Sequence, residues 1–375
     1  MNMIDTVILS VPRESFTVLS SKGRLGTDWE LSGKTAMYEK WVRNPKRAHK
    51  DTGNYYPRIT GYRRSKTSES ARIEFSIPKL IFGNNLDEVS DSDFQHIVHT
   101  LQERLLELGV VISKKTIRSA SVLAFHPSKN ISLGQGYTSS LALRELSKIN
   151  LAKRFDLNKS DFRNSGQSLQ GYTAAHSLVF YDKIADLAKP EKRAIDKDQT
   201  PQQPSLFQEI QNKTPELEVL RMEVRLSRKQ KMNEVLKKLG HATNPTFADI
   251  FSKTLCKEII SDYWASFVVD KNLFLFDLGS SPPQLLRRIL TEGTKSKEAV
   301  YLTGLAILSR EDGGIREIRS VIEKAHGTRA WYRIADGFKR LNEKIKQKQC
   351  HSWVAQVSKS IDKFDSFRFK RAKGL

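Results

Sequence analysis

In "HSLVFYDKIADLAK", residues 176 to 189, Tyr181 and Lys183 stand two positions apart in an otherwise apolar run. Side chains of a β-strand alternate between its faces, so Leu178 and Phe180 share one face and Tyr181 and Lys183 the other. Two more segments divide in the same way. In "RIEFSI", Ile73, Phe75 and Ile77 form an apolar face against Arg72, Glu74 and Ser76. In "LRMEVRL", Leu220, Met222, Val224 and Leu226 oppose Arg221, Glu223 and Arg225. If the three strands share a sheet, its polar face gathers a tyrosine, a lysine, two glutamates and several arginines.

Those residue types suit phosphodiester chemistry. A phenol, with a pKa near 10 when unperturbed, becomes a usable nucleophile only beside a cation or metal ion. Glu74 and Glu223 offer hard oxygen ligands for Mg²⁺ or Mn²⁺. Such an ion polarises the phosphate and steadies the leaving 3′-oxygen. Lys183 and the arginines would offset charge on the transferring phosphoryl group. Attack by Tyr181 would leave a 5′-phosphotyrosyl bond that keeps its energy for religation. The plain alternative is a solvated sheet face with charged pairs, in which Tyr181 is a core aromatic with a wet hydroxyl.

The elements that would position these residues suggest an α+β protein. A mostly antiparallel sheet with packed helices is expected over 1–245, and a smaller helical domain over 246–375. "DTVILSV" reads as the first strand, and "ARIEFSIPKLIFG" and "KTIRSASVLAF" as further strands. "SDSDFQHIVHTLQERLLELG" carries an apolar stripe, with Ser92 and Gln95 as a capping box and Gly109 as the stop. "SSLALRELSKINLAKRF" and "KQKMNEVLKKLG" fit two more helices. The Pro- and Gln-containing stretch at about 188–216 reads as a loop or flexible excursion. Beyond 246, short helices joined by Gly-containing turns could form helix-turn-helix units that bind DNA or a partner.

Charge narrows the partners. Lysine and arginine total 63 against 42 acidic residues, a net charge of +21. A polyanion is the expected ligand, because each phosphate met by Lys or Arg releases condensed counterions. No apolar run reaches the roughly 18 residues that span a bilayer, and the N-terminal residues lack the features of a signal peptide. Cys256 and Cys350 are distant and have no CxxC spacing, so neither a disulfide framework nor a zinc site is expected, and a reducing cytoplasm is. No Walker A motif is present, so helicase activity would come from a partner.

In this order, "MIDTVILSVP", "YPRITGYRR", "ARIEFSIPKLIFGNN", "HSLVFYDK", "LRMEVRLSRK" and "TRAWYRIADGFKRL" resemble the filamentous-phage replication initiators, the gene II/X family of phage and plasmid replication proteins. The resemblance covers most of the chain. It implies a Mg²⁺-dependent enzyme that nicks one strand at a replication origin and becomes linked to its 5′ end through tyrosine. Rolling-circle synthesis then starts from the free 3′-hydroxyl, and the displaced strand is later closed into a circle. It further implies a bacterial host cell as the location. Origin DNA, first double- and then single-stranded, would be the partner, together with a host helicase and polymerase. Tyr181 is then the nucleophile with Lys183 beside it, and Glu223 and Glu74 are the acidic metal residues. Where relatives often carry an aspartate, in "IRSASVLAFHPSKN", this chain has Ser119, Ser121 and His126. Either His126 substitutes as a ligand or the metal site is built differently; a buried or loop histidine with no part in the site is the rival description.

"YYPRITGYRRSK" interleaves Tyr55, Tyr56 and Tyr62 with Arg58, Arg63, Arg64 and Lys66, a composition that would stack bases and contact phosphates. Packed tyrosines under a basic surface loop are the rival description. His96 and His99 are expected on a partly exposed helix face, and "FRFKRAKGL" as a frayed basic tail. Two other functions compete with nicking: a plasmid initiator that binds origin repeats without cutting, and a relaxase-like strand-transfer enzyme of a mobile element.

Overall fold

The computed structural model describes residues 4–19, 30–35, 38–43, 45, 49, 52–65, 68–150, 161–163, 167–188, 200, 202–269, 275, 281–345 and 353–369. Among the described residues the strands are β1 (Ile4–Pro12), β2 (Phe16–Val18), β3 (Glu30–Lys34), β4 (Glu39–Arg43), β5 (Arg58–Ser65), β6 (Ser68–Ser76), β7 (Val110–Ile112), β8 (Ser121–Leu133), β9 (Asp161–Arg163), β10 (Ser168–Tyr172), β11 (His176–Asp182) and β12 (Glu218–Leu226). Helices of the first half are α1 (Ile77–Phe82), α2 (Phe94–Glu107), α3 (Lys114–Ser119), α4 (Ser139–Ser147), α5 (Lys183–Leu187), α6 (Gln202–Lys213) and α7 (Lys229–Lys238). The second half adds α8 (Phe247–Ile250), α9 (Lys253–Trp264), α10 (Pro282–Thr291), α11 (Ser296–Arg310), α12 (Gly314–His326), α13 (Thr328–Ile345) and α14 (Trp353–Lys363). The fold is α+β, as the sequence suggests.

Ten strands form one sheet in the order β3-β4-β5-β6-β1-β8-β12-β11-β10-β9, antiparallel at every pairing; β2 and β7 make a separate pair. The three segments with polar faces are β6, β12 and β11, and β12 lies between β8 and β11. One face packs under helices α4, α7, α9 and α14. There Phe180 meets Trp264 of α9 edge-on at 6.2 Å, and Trp264 meets Trp353 of α14 at 6.3 Å. The hydrophobic core runs without a break from Ile4 to Phe364. The change of texture at 246 is therefore a change of element type within a continuous core.

The opposite face carries Tyr181, and over β11 and β12 it is covered. Leu86, Ile184, Leu187, Leu206, Ile210 and Val219 form a small second core there, with Phe367 and Phe369 packed against it. Val219 points to this side because it lies two residues before Arg221, the cross-strand partner of Tyr181. The turn at Gly83 fixes the cover in place. Gly83 ends α1 at φ +66, a left-handed conformation that favours glycine, and a β-carbon there would also push aside the end of the Gln202 side chain. Thr200 donates a hydrogen bond to its carbonyl oxygen.

Several local expectations change. Residues 202–213, within the expected excursion, are a helix, because Leu206 and Ile210 find apolar partners in α5. Residues 114–119 are a short helix capped by Ser113, and the strand begins at Ser121. The capping box before α2 joins Ser90 and Asp93. The basic tail is docked through Phe369: the Phe367 amide donates to Glu88 and the Phe369 amide to Asp87. His96 and His99 are exposed on α2. Among the described residues, no helix is long and apolar enough to cross a membrane.

Candidate active site

The site is built on three adjacent strands. Tyr181 of β11 is directly opposite Arg221 of β12, which is opposite Asn130 of β8. Two residues along, Glu223 is opposite Val179 and Ser128. Direct partners share a face, so Tyr181, Arg221, Glu223, Ser128 and Asn130 project to the same side.

Arg221 is the hub. It is 1% exposed and donates to the Asn85 carbonyl oxygen at 2.8 Å, to Ser128 Oγ at 2.9 Å and to Asn130 Oδ1 at 3.3 Å. Its Nη2 lies 3.2 Å from Asp5 Oδ1. Burial opposes the guanidinium charge, but Tyr181, Asp5 and Glu223 together raise its pKa. Glu223, also buried, accepts hydrogen bonds from Arg225 at 2.9 and 3.4 Å and lies 3.5 Å from His126 Nδ1. Burial alone would raise its pKa; Arg225, His126 and Arg221 outweigh it and hold the carboxyl well below the usual range.

Tyr181 is 7% exposed. The Arg221 guanidinium lies 5.9 Å from its ring centroid and Lys183 Nζ 5.5 Å. Burial drives the phenol pKa well above 10, and the opposing pull of Arg221 is smaller. Lys183 is the first residue of α5 and not a strand residue, so it reaches the ring by the turn of a helix whose N-cap is Asp182. Its amine donates to Asn85 Oδ1 at 2.7 Å and Asp186 Oδ2 at 3.1 Å. Burial lowers its pKa to about 8, with Asp186 acting in the opposite sense.

Tyr181, Lys183, Arg221, Glu223, Arg225 and His126 thus come together, although the face is covered where an open one is expected. Glu74 does not join them. It is exposed on β6, opposite Ile8 and Arg58, and three strand spacings (about 14 Å) separate β6 from β12. Glutamate side chains so placed cannot share one ion. Among the described residues, no group of three or more His, Cys, Asp or Glu side chains could hold a metal ion. Glu223 and His126 supply one carboxylate and one imidazole. That donor set suits a divalent cation only if water and phosphate oxygens complete its shell.

The expected DNA contacts separate similarly. Tyr56 is buried and its hydroxyl donates to Glu107, while the Tyr55 hydroxyl accepts from the Ser76 amide. These two tyrosines are structural. Tyr62 remains half-buried with the Arg72 guanidinium 4.5 Å over its ring, and Arg72 is exposed. Arg63 pairs with Glu69 and Glu39. The Arg64 side chain and Lys66 lie outside the described residues.

Sequence reasoning missed Asp5, Asn85, Ser128, Asn130 and Asp186. The period-two polar run His126, Ser128, Asn130 in "HPSKN" was a usable signal. Asp5 had none, because the β1–β8 register shifts between Ile4 and Val7. Comparison with protein-family models, curated proteins and solved structures finds no match.

Proposed function

We propose that the protein is a rolling-circle replication initiator that nicks one DNA strand at an origin and later religates it. The observation that carries this reading is the meeting of Tyr181, Arg221, Glu223 and His126 on one face of three adjacent strands. In the proposed step, Tyr181 Oη bonds to phosphorus and the bond from phosphorus to the 3′-oxygen breaks. The phenolic proton passes to the neutral fraction of Lys183, which is appreciable near pH 8. The leaving 3′-oxygen takes a proton from solvent water and becomes the primer hydroxyl. Arg221 and Arg225 balance charge on the phosphoryl oxygens. Mg²⁺ or Mn²⁺, as the family resemblance implies, would be held by Glu223 and His126 and would polarise the phosphate when bound. Arg72, exposed on the same sheet, and the half-buried Tyr62 beneath its guanidinium supply a phosphate and stacking contact for single-stranded DNA.

A non-cutting origin binder is the second reading. It is favoured by the burial of Tyr181 and by the internal pairing of the charges around it. Incubation with supercoiled origin DNA and Mg²⁺ distinguishes the two. Nicking predicts an open circle with the protein on its 5′ end, removed by protease and absent in Tyr181→Phe. Wild-type cutting by Tyr181→Phe excludes this tyrosine. Binding by wild-type protein without any cut selects the second reading.

A further inference from the structure

Residues 324–335 contain Lys324, His326, Arg329 and Arg333 and no carboxylate. They form the corner between α12 and α13, where Gly327 alone separates the helices at φ +77 and donates its amide to the Glu323 carbonyl at 2.9 Å. A β-carbon at Gly327 would meet nothing within 4 Å, so the backbone conformation is what calls for glycine. Helix α13 buries Trp331, Phe338, Leu341 and Ile345 and turns Arg329, Tyr332 and Arg333 to solvent. Tyr332 is 66% exposed, the highest of the exposed large hydrophobic residues among the described residues.

Charge pairing sets this corner apart from its surroundings. Arg319 bonds Glu323 at 3.0 Å beside the Trp331 ring, and Arg340 pairs with Glu298 and Asp336. Among the described residues, Lys324, Arg329 and Arg333 have no carboxylate partner. Three uncompensated cations beside an exposed aromatic complement a polyanion. Arg329, Tyr332 and Arg333 lie at i, i+3 and i+4, on one side of the first helical turns. A helix about 10–12 Å across enters a major groove about 12 Å wide. Asp336, one turn further, ends the uninterrupted basic face.

We propose that the α12–α13 corner docks double-stranded DNA, with the start of α13 in the major groove and Lys324, Arg329 and Arg333 on phosphates. This rests on the reading of the protein as one that acts on DNA, and it adds a duplex-holding element to the single-strand chemistry of the sheet.

The test compares full-length wild type with Arg329→Gln/Arg333→Gln, using a duplex and a single-stranded oligonucleotide over a salt series. Expected are at least tenfold weaker duplex binding, a salt slope shallower by about 2, and unchanged cutting of the single strand. Lys324→Gln/Tyr332→Ala repeats the measurement without touching the arginines and should also weaken duplex binding. Wild-type isotherms and slopes in both variants overturn the proposal and direct the corner to an acidic protein partner. If wild type binds duplex but cuts nothing, the nicking reading fails while the docking result stands on the variants. If wild type binds neither DNA, both fail.

Discussion

At Glu223 a buried carboxylate offsets two guanidinium groups, so neutralising it should be costly. Glu223→Gln leaves Arg221 buried against a weaker set of acceptors, and breaking a buried pair in this way costs about 3 kcal/mol. The expected outcome is a lower urea midpoint at pH 7 together with loss of cutting. Lys183 gives a pH signature. Its folded pKa of about 8 lies below the unfolded value near 10.5, so between these the unfolded chain binds the extra proton and stability rises with pH. Wild type should gain about 2 kcal/mol between pH 8 and 10 that Lys183→Met does not show in denaturant titrations. The cutting rate should rise over the same range and flatten in the variant. Alternation in the strand sequences was enough to put Tyr181, Arg221 and Glu223 on one face. It could not tell a solvated face from a covered one, because polar residues buried by paired charges and exposed polar residues leave the same pattern. Glu74 shows the other limit: periodicity assigns a face but not a distance across the sheet.

The cover over that face is assembled from distant elements: the 84–88 segment, α5, α6 and the stretch 365–369. Its apolar content is small, and much of its hold comes from buried hydrogen bonds: Arg221 and Lys183 donate to Asn85, Asn130 to Leu86 and Lys129 to Glu88. The proposed cutting requires Tyr181 to reach DNA, and loosening the cover should therefore help. Phe367→Ala/Phe369→Ala is expected to speed amide exchange at Leu86–Glu88 and to raise single-strand cutting severalfold. Slower cutting would mean that the cover itself grips the substrate. The sequence hid this element because "PQQPSLFQEIQNK" offers only Leu206, Phe207 and Ile210 as apolar positions among polar residues and two prolines. Helix α3 was hidden for a different reason: at six residues it is too short to display a helical period. Helix α2, with five buried positions, was readily recognised.

Over the whole molecule, the charge of +21 makes the proposed DNA affinity strongly dependent on salt. With about six phosphate contacts, affinity should fall about a thousandfold between 50 and 200 mM salt, as fluorescence anisotropy would record. The antiparallel sheet and the helical second half were legible from alternating and helical periods. The strand order was not, since placing β12 between β8 and β11 depends on pairings that local sequence does not encode. The bond from the Phe367 amide to Glu88 spans 279 positions of chain. At about 5–20 residues per second, translation needs on the order of 15–60 s to supply that partner once Glu88 has been made. From the synthesis of Tyr181 to the end of that interval, the nascent protein has β1 and β6 but cannot latch the segment that shields the tyrosine. A ribosome-bound intermediate should therefore be open to protease at 84–90, and close only as the distant latch emerges.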